Sequence, residues 1–113
     1  MDISKDLIAA SATPLILSIL AEGESYGYAI IKRVATLSGG TMQWTDGMLY
    51  PILHRLESQG LIESEIRTSE TGRKRKYYRI KQDGSTAIAA YQAQWQAVYA
   101  TLNKVWEAKL CLD

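Results

Sequence analysis

Apolar residues recur at helical spacing in four stretches of this 113-residue chain and alternate with polar residues in two others. The first helical stretch runs from about Ser4 to Ala21, with Leu7, Ile8, Leu15, Ile16, Ile19 and Leu20 forming a broad stripe. Thr13-Pro14 inside it has two readings: an N-cap followed by proline at a first helical position, or a kink within one longer helix. Glu22-Gly23-Glu24-Ser25 is a turn, with Ser25 the candidate N-cap of a second helix from Tyr26 to about Leu37. Ile30, Ile31, Val34 and Leu37 give that helix its buried face, and Ser38-Gly39-Gly40 ends it.

A third helix opens at Thr45 or Asp46 and stops at Gly60, with Leu49, Ile52, Leu53 and Leu56 facing a core. Tyr50, His54, Arg55 and Ser58 lie on its other sides. Pro51 sits beyond the first turn and removes a backbone bond to Gly47, which a start one or two residues later would relieve. From Leu61 to Ile66 the pattern switches: Ile62, Ser64 and Ile66 fall on one side, Glu63 and Glu65 on the other. Tyr78 and Ile80 alternate with Tyr77 and Arg79 in the same way, so the two runs predict a hairpin with its tip at Thr68 to Arg73. The last helix runs from about Asp83 to Leu110. Its Ile88, Tyr91, Trp95, Val98, Leu102 and Val105 follow the 3-4-3-4-3 spacing of a coiled-coil seam, widened by Tyr99 and Trp106.

This order predicts a mainly α fold with a β-hairpin wing. Residues 1–81 form a winged helix-turn-helix domain, and residues 82–113 form a long C-terminal dimerisation helix. The stripe on that helix is longer than a small domain needs, so a second copy is expected to cover Ile88, Tyr91, Trp95, Val98, Leu102, Val105 and Trp106.

Charge changes the picture more than composition does. The net charge of +1 conceals a cluster between residues 67 and 81, where Arg67, Arg73, Lys74, Arg75, Lys76, Arg79 and Lys81 face one acid, Glu70. That segment carries a net +6, and the rest of the chain −5. The single Cys111 forms no internal disulfide, MDISKD lacks the positive flank of a signal peptide, and the apolar run Leu15–Leu20 is far too short to span a bilayer. A reducing cytoplasm is the expected location. One His, one Cys, no glycine-rich phosphate loop and no paired carboxylates at catalytic spacing tell against an enzyme, a metal site or a bound cofactor.

A polar helix face beside a basic hairpin suits a DNA duplex, the helix entering the major groove and the hairpin neutralising phosphates. Thr45, Gly47, Met48, Tyr50 and His54 are the candidate groove-facing residues, and Arg73, Lys74, Arg75, Lys76 and Tyr77 the candidate phosphate contacts. Gly47 permits close approach to a phosphate at the helix start. Met48 has two readings, a thymine-methyl contact or a buried gap-filler. Tyr78 is assigned to the core, and Trp44 and Trp106 to packing. The alternative is a winged-helix protein-interaction module that never meets DNA, in which the +6 cluster would have no use.

The residues also resemble a known family. Leu15-Ile16-Leu17-Ser18-Ile19-Leu20 with Tyr26-Gly27-Tyr28-Ala29-Ile30-Ile31-Lys32 is similar to the first two helices of PadR-type transcriptional regulators. Gly47-Met48-Leu49-Tyr50-Pro51 with Arg55-Leu56-Glu57-Ser58-Gln59-Gly60-Leu61-Ile62 resembles their recognition helix, and Gly72-Arg73-Lys74-Arg75-Lys76-Tyr77-Tyr78-Arg79-Ile80 their wing. The single C-terminal helix resembles the compact branch that includes multidrug-sensing repressors. The resemblance implies a homodimeric repressor on double-stranded, inverted-repeat DNA, with Trp95 and its dimer mate stacking a planar aromatic effector and Tyr99 beside it. Plain interface packing is the other role open to Trp95, and the two are compatible. Met48 and Lys81 replace the threonines usual at their positions. No acid lies between Asp83 and Glu107, which shifts the expected ligand from cations towards neutral or weakly anionic aromatics.

Overall fold

Four helices and three strands follow in the order α1 (Lys5–Glu22), β1 (Ser25–Tyr26), α2 (Gly27–Leu37), α3 (Asp46–Ser58), β2 (Ile62–Thr68), β3 (Lys74–Ile80) and α4 (Gln82–Leu112). The structure is a computed structural model that describes the backbone of residues 1–112 and the side chains of residues 1–109; the side chain of Cys111 and all of Asp113 lie outside those described. The expected class is the one found: mainly helical, with a small antiparallel sheet and a long last helix.

Ser4 caps α1, its hydroxyl accepting the Leu7 N–H at 3.3 Å. Pro14 lies inside one unbroken helix, which selects the longer-helix reading. Ala12, Thr13, Ile16, Leu17, Ile19 and Leu20 are all buried, more than one face, because α2, α3, β3 and α4 pack around this helix. Leu7 departs from the expected stripe and is half exposed, since it lies a turn before that enclosure begins.

The hairpin has a third strand that periodicity does not reveal. Ser25 pairs with Tyr78 and Tyr26 with Tyr77, giving the sheet order β1-β3-β2. Ser25 is therefore a strand residue, correcting its assignment as a helix cap. Tyr26 takes the cap position of α2 without a side-chain bond. Two residues are too few to show alternation, and the free edge of β3 decides their conformation. On α2, Ile30 and Val34 are buried, whereas Leu37 reaches the exposed end.

Thr45 caps α3, accepting the Met48 N–H at 3.3 Å. The helix begins at Asp46, within the expected start, and keeps Pro51 inside it without the later start that would relieve the proline. Packing of Leu49, Leu53 and Leu56, all fully buried, outweighs the one lost backbone bond. The helix closes with the Gly60 N–H on the Glu57 carbonyl and the Leu61 N–H on the Leu56 carbonyl, both at 3.0 Å. That closure needs the left-handed backbone at Gly60, φ +76°, which glycine takes without strain. It aims the chain into β2, which pairs with β3 from Ile62↔Ile80 to Thr68↔Lys74. Ile62 and Tyr78 are buried at the base of this hairpin, but Ile66 on the same side is 67% exposed, because the outer half of the hairpin projects past the core as a wing.

The helix α4 divides in two. Its first turns belong to the domain: Gly84 is buried, and Ala87, Ile88 and Tyr91 pack on the core. A Cβ on Gly84 would collide with the Leu61 carbonyl and lie 2.7 Å from Ile80 Cγ1. From Trp95 onward the seam is uncovered: Val98, Leu102, Val105 and Trp106 are exposed. Trp106 therefore does not pack within the chain, and Ile88 and Tyr91 spend part of their expected interface surface on α1 and the core. Thirty-one residues at about 1.5 Å each make a rod of roughly 46 Å, which sets the 63 Å long axis of the molecule. No helix among the described residues is long and apolar enough to cross a membrane.

Candidate nucleic-acid interface

Gly47, Tyr50, His54 and Ser58 follow one another along the outer side of α3, all exposed. Thr45 is exposed at the helix start, where its hydroxyl is already engaged as the cap. Met48 does not join that row: it is half buried and shares an apolar recess with Ile8, Trp44 and Ile52. Of the two readings for Met48, the packing one matches this placement. Trp44 is buried there, as expected of it. Arg55 is tied back to α1, donating from Nη2 to Thr13 Oγ1 at 3.0 Å.

The seven cations of the wing segment do not form one uniform patch. At the base, Arg79 is bound by Glu63 at 2.7 Å, and near the outer end, opposite Arg75, Arg67 is bound by Glu24 at 2.5 Å and by Glu65. These partners hold both guanidiniums above their usual pKa, and Arg67 lowers that of Glu24. In the middle, Lys76 lies 3.9 Å from Glu57 of α3. Arg75 stacks at 4.0 Å over the Tyr26 ring, and Arg67 at 4.7 Å over Tyr77. At the tip, Arg73 and Lys74 are exposed and make no ion pair among the described residues. The strand pleat sorts these tiers, placing Arg75, Tyr77 and Arg79 on the face opposite Lys74, Lys76 and Tyr78. Tyr77 is half buried against Tyr26, with ring centroids 5.5 Å apart, so its body serves the β1–β3 contact. Burial pushes the Tyr78 phenol up, with smaller contributions from Tyr50 and Glu57.

Between wing and helices lies a cleft of about 460 Å³ bounded by Arg73–Lys76 on one side and by Tyr26, Gly27, Tyr28 and Tyr50 on the other. Sequence reasoning placed only the wing residues and Tyr50 there. A glycine flanked by two tyrosines at a helix start is the signal it passed over. His54 stands alone: no group of His, Cys, Asp and Glu among the described residues could hold a metal ion.

The candidate effector residues sit apart from that cleft, midway along α4. Trp95 separates two apolar recesses between α1 and α4. One, of about 260 Å³, includes Pro14, Leu15 and Ile88; the other, of about 380 Å³, includes Leu7, Ala10 and Val98. Tyr99, one turn further, is 62% exposed and lines neither.

A three-helix core, a β-hairpin wing beside the third helix and a projecting last helix define a winged helix-turn-helix regulator. Residues 16–90 match the model of the Transcriptional regulator PadR-like family. The chain belongs to that family. It is 39% identical over 81 residues to the transcriptional regulator YqjI of Escherichia coli, covering 72% of this chain and 33% of that one. The chain thus spans a third of the length of that relative. Among solved structures, a transcriptional regulator from Clostridium thermocellum is 34% identical with a TM-score of 0.82, covering 90% of this chain and 96% of the other. A PadR family transcriptional regulator from Eggerthella lenta is also 34% identical, with a TM-score of 0.79 over 90% of this chain and 87% of that one. Proteins of this family are regulatory and bind DNA; they are not enzymes.

Proposed function

We propose that this chain acts in the cytoplasm as a homodimeric, sequence-specific repressor that reads an inverted repeat in double-stranded DNA. Residues 1–81 bind the duplex, and residues 82–113 join the two copies. One observation carries the DNA reading: Arg73 and Lys74 stand without acidic partners among the described residues, beside the exposed row of α3. Gly47, Tyr50 and His54 face the major groove, and the tip cations, Arg75 and Lys76 neutralise flanking phosphates, with Thr45 and Tyr77 framing the contact. The two recognition helices sit about 34 Å apart, one turn of the duplex.

Dimerisation is supported by the uncovered seam of Trp95, Val98, Leu102, Val105 and Trp106. An aromatic effector enters beside Trp95, with Tyr99 at the rim, and shifts the spacing of the two readers. It does so by binding one arrangement of the dimer more tightly than the other.

Binding to an operator duplex, titrated from low to high salt, tests the DNA reading. Affinity is expected to fall with a slope of about −0.9 per phosphate contacted. Salt-independent binding, or capture of a protein partner with no DNA retardation, would favour the interaction-module alternative. Trp fluorescence of the wild type and Trp95→Ala, titrated with flat aromatics, tests the effector site; equal quenching in both removes Trp95 from it.

A further inference from the structure

The geometry points to Gly27 as the residue that positions Tyr50 for a DNA phosphate. Lacking a side chain, Gly27 lets the phenol lie against the start of α2, with its hydroxyl at the basic cleft. The inference rests on the proposed DNA contact and goes beyond it by naming a residue that acts through another.

Gly27 is buried, and it is not there for its backbone. It is the first residue of α2 and has no positive φ, so alanine would be free of strain at that position and better suited to a helix. What excludes alanine is space. A Cβ on Gly27 would overlap Tyr50 Oη and lie 2.8 Å from Cζ and 3.4 Å from Cε1. The obstructing atoms are the free end of a side chain that is 44% exposed, so the ring swings out and the fold survives. The cost falls on where the hydroxyl points.

That position matters because of what surrounds it. Tyr50 and Gly27 form one wall of the cleft, and Arg73 and Lys74 stand at the other without acidic partners among the described residues. Arg75, over the Tyr26 ring, holds the cleft's two sides in register. An anion seated there meets cations from the wing and a phenolic O–H from α3. A hydrogen bond to a charged acceptor is about twice as strong as one between neutral groups. A backbone phosphate of the duplex in contact with α3 supplies that anion.

The test is equilibrium binding to a duplex selected from random-sequence DNA with the wild-type protein. Tyr50→Phe and Gly27→Ala are each expected to weaken binding about tenfold, the loss expected for one hydrogen bond to a charged group. Both should leave the salt slope unchanged, because neither removes a charge, whereas Lys74→Ala lowers its magnitude by about 0.9 per protomer, about 1.8 for the dimer. In a Tyr50→Ala background, adding Gly27→Ala should change affinity by less than about twofold, since no ring remains to displace. Wild-type affinity in Tyr50→Phe or Gly27→Ala overturns the inference, as does an undiminished Gly27→Ala loss in the Tyr50→Ala background. If Gly27→Ala fails to fold, Tyr50→Phe decides alone. If Lys74→Ala leaves both affinity and slope untouched, it is the DNA reading itself that falls.

Discussion

Arg73 and Lys74 at the wing tip carry charge with no acidic partner, whereas Val98, Leu102 and Val105 on α4 carry apolar surface with no covering chain. Water serves the first well and the second poorly. A solvated cation can wait for a phosphate and release it again, with salt setting the balance. An apolar side chain left in water forgoes about 1.5–3 kcal/mol that burial would return, so its partner is held rather than sampled. The proposed reversible contact with DNA and the proposed lasting contact between copies follow from that difference.

The largest effect is expected where the stripe is broken. Val98→Glu with Leu102→Glu should convert a two-chain species to a single chain by light scattering and weaken operator binding about a hundredfold, since the two half-sites are then bound independently. A wild-type protein that is already monomeric at micromolar concentration would break the comparison. Gly84→Ala probes the packed root of the same helix. Its methyl group meets the Leu61 carbonyl and Ile80, so unfolding in urea should show a loss of about 2 kcal/mol. An unchanged midpoint would mean that the root is not part of the core.

The unpaired cations of the wing can be sharpened against its ion-paired ones. Arg73→Ala and Lys74→Ala should each weaken DNA binding about threefold to tenfold per protomer and reduce the salt slope by about 0.9 per protomer, about 1.8 for the dimer. Arg67→Ala and Arg79→Ala should leave that slope alone, because their charges are answered by Glu24, Glu65 and Glu63. Equal slopes for all four variants would erase the distinction between unpaired and ion-paired cations. The smallest effect concerns acid. Glu24 has a folded pKa below its ordinary 4.5 because Arg67 hydrogen-bonds its carboxylate. Its contribution is therefore present above about pH 4.5 and lost as pH falls through the lower folded value. The wild-type melting temperature should drop slightly more than that of Arg67→Gln between pH 5 and pH 3, about the range of that titration. The drop is small because both groups are exposed.

Leu49, Leu53 and Leu56 on α3, the hairpin from Ile62 to Ile80 and the seam of α4 were all legible as periodic patterns, because each side chain's fate there follows from its near neighbours in sequence. The start of α3 at Thr45–Asp46 was legible as well, and Pro51 does not shift it, since a local penalty is overridden by a buried face. Leu7 and Leu37 misled in the other direction: apolar spacing continues past the point where the neighbouring elements stop. At the candidate site, the exposed row of α3 and the basic tip were visible in the chain. The cleft that joins them was not, because its wall at Tyr26, Gly27 and Tyr28 lies where a strand of two residues runs into the start of α2.

The order of amino acids by itself determined the four helices and the hairpin, the caps at Ser4 and Thr45, the closure at Gly60 and the excess of cations from residue 67 to residue 81. Those are properties of residues within a few positions of one another. Only the tertiary structure decided which of the cations are free. Glu24 reaches Arg67 across 43 positions, and Glu57 approaches Lys76 from another helix. It also decided where the apolar stripe of α4 leaves the core and that Tyr50 lies over Gly27. Neutralisation, cover and steric contact depend on what the folded chain brings close, and separation along the sequence places no such limit on distance in space.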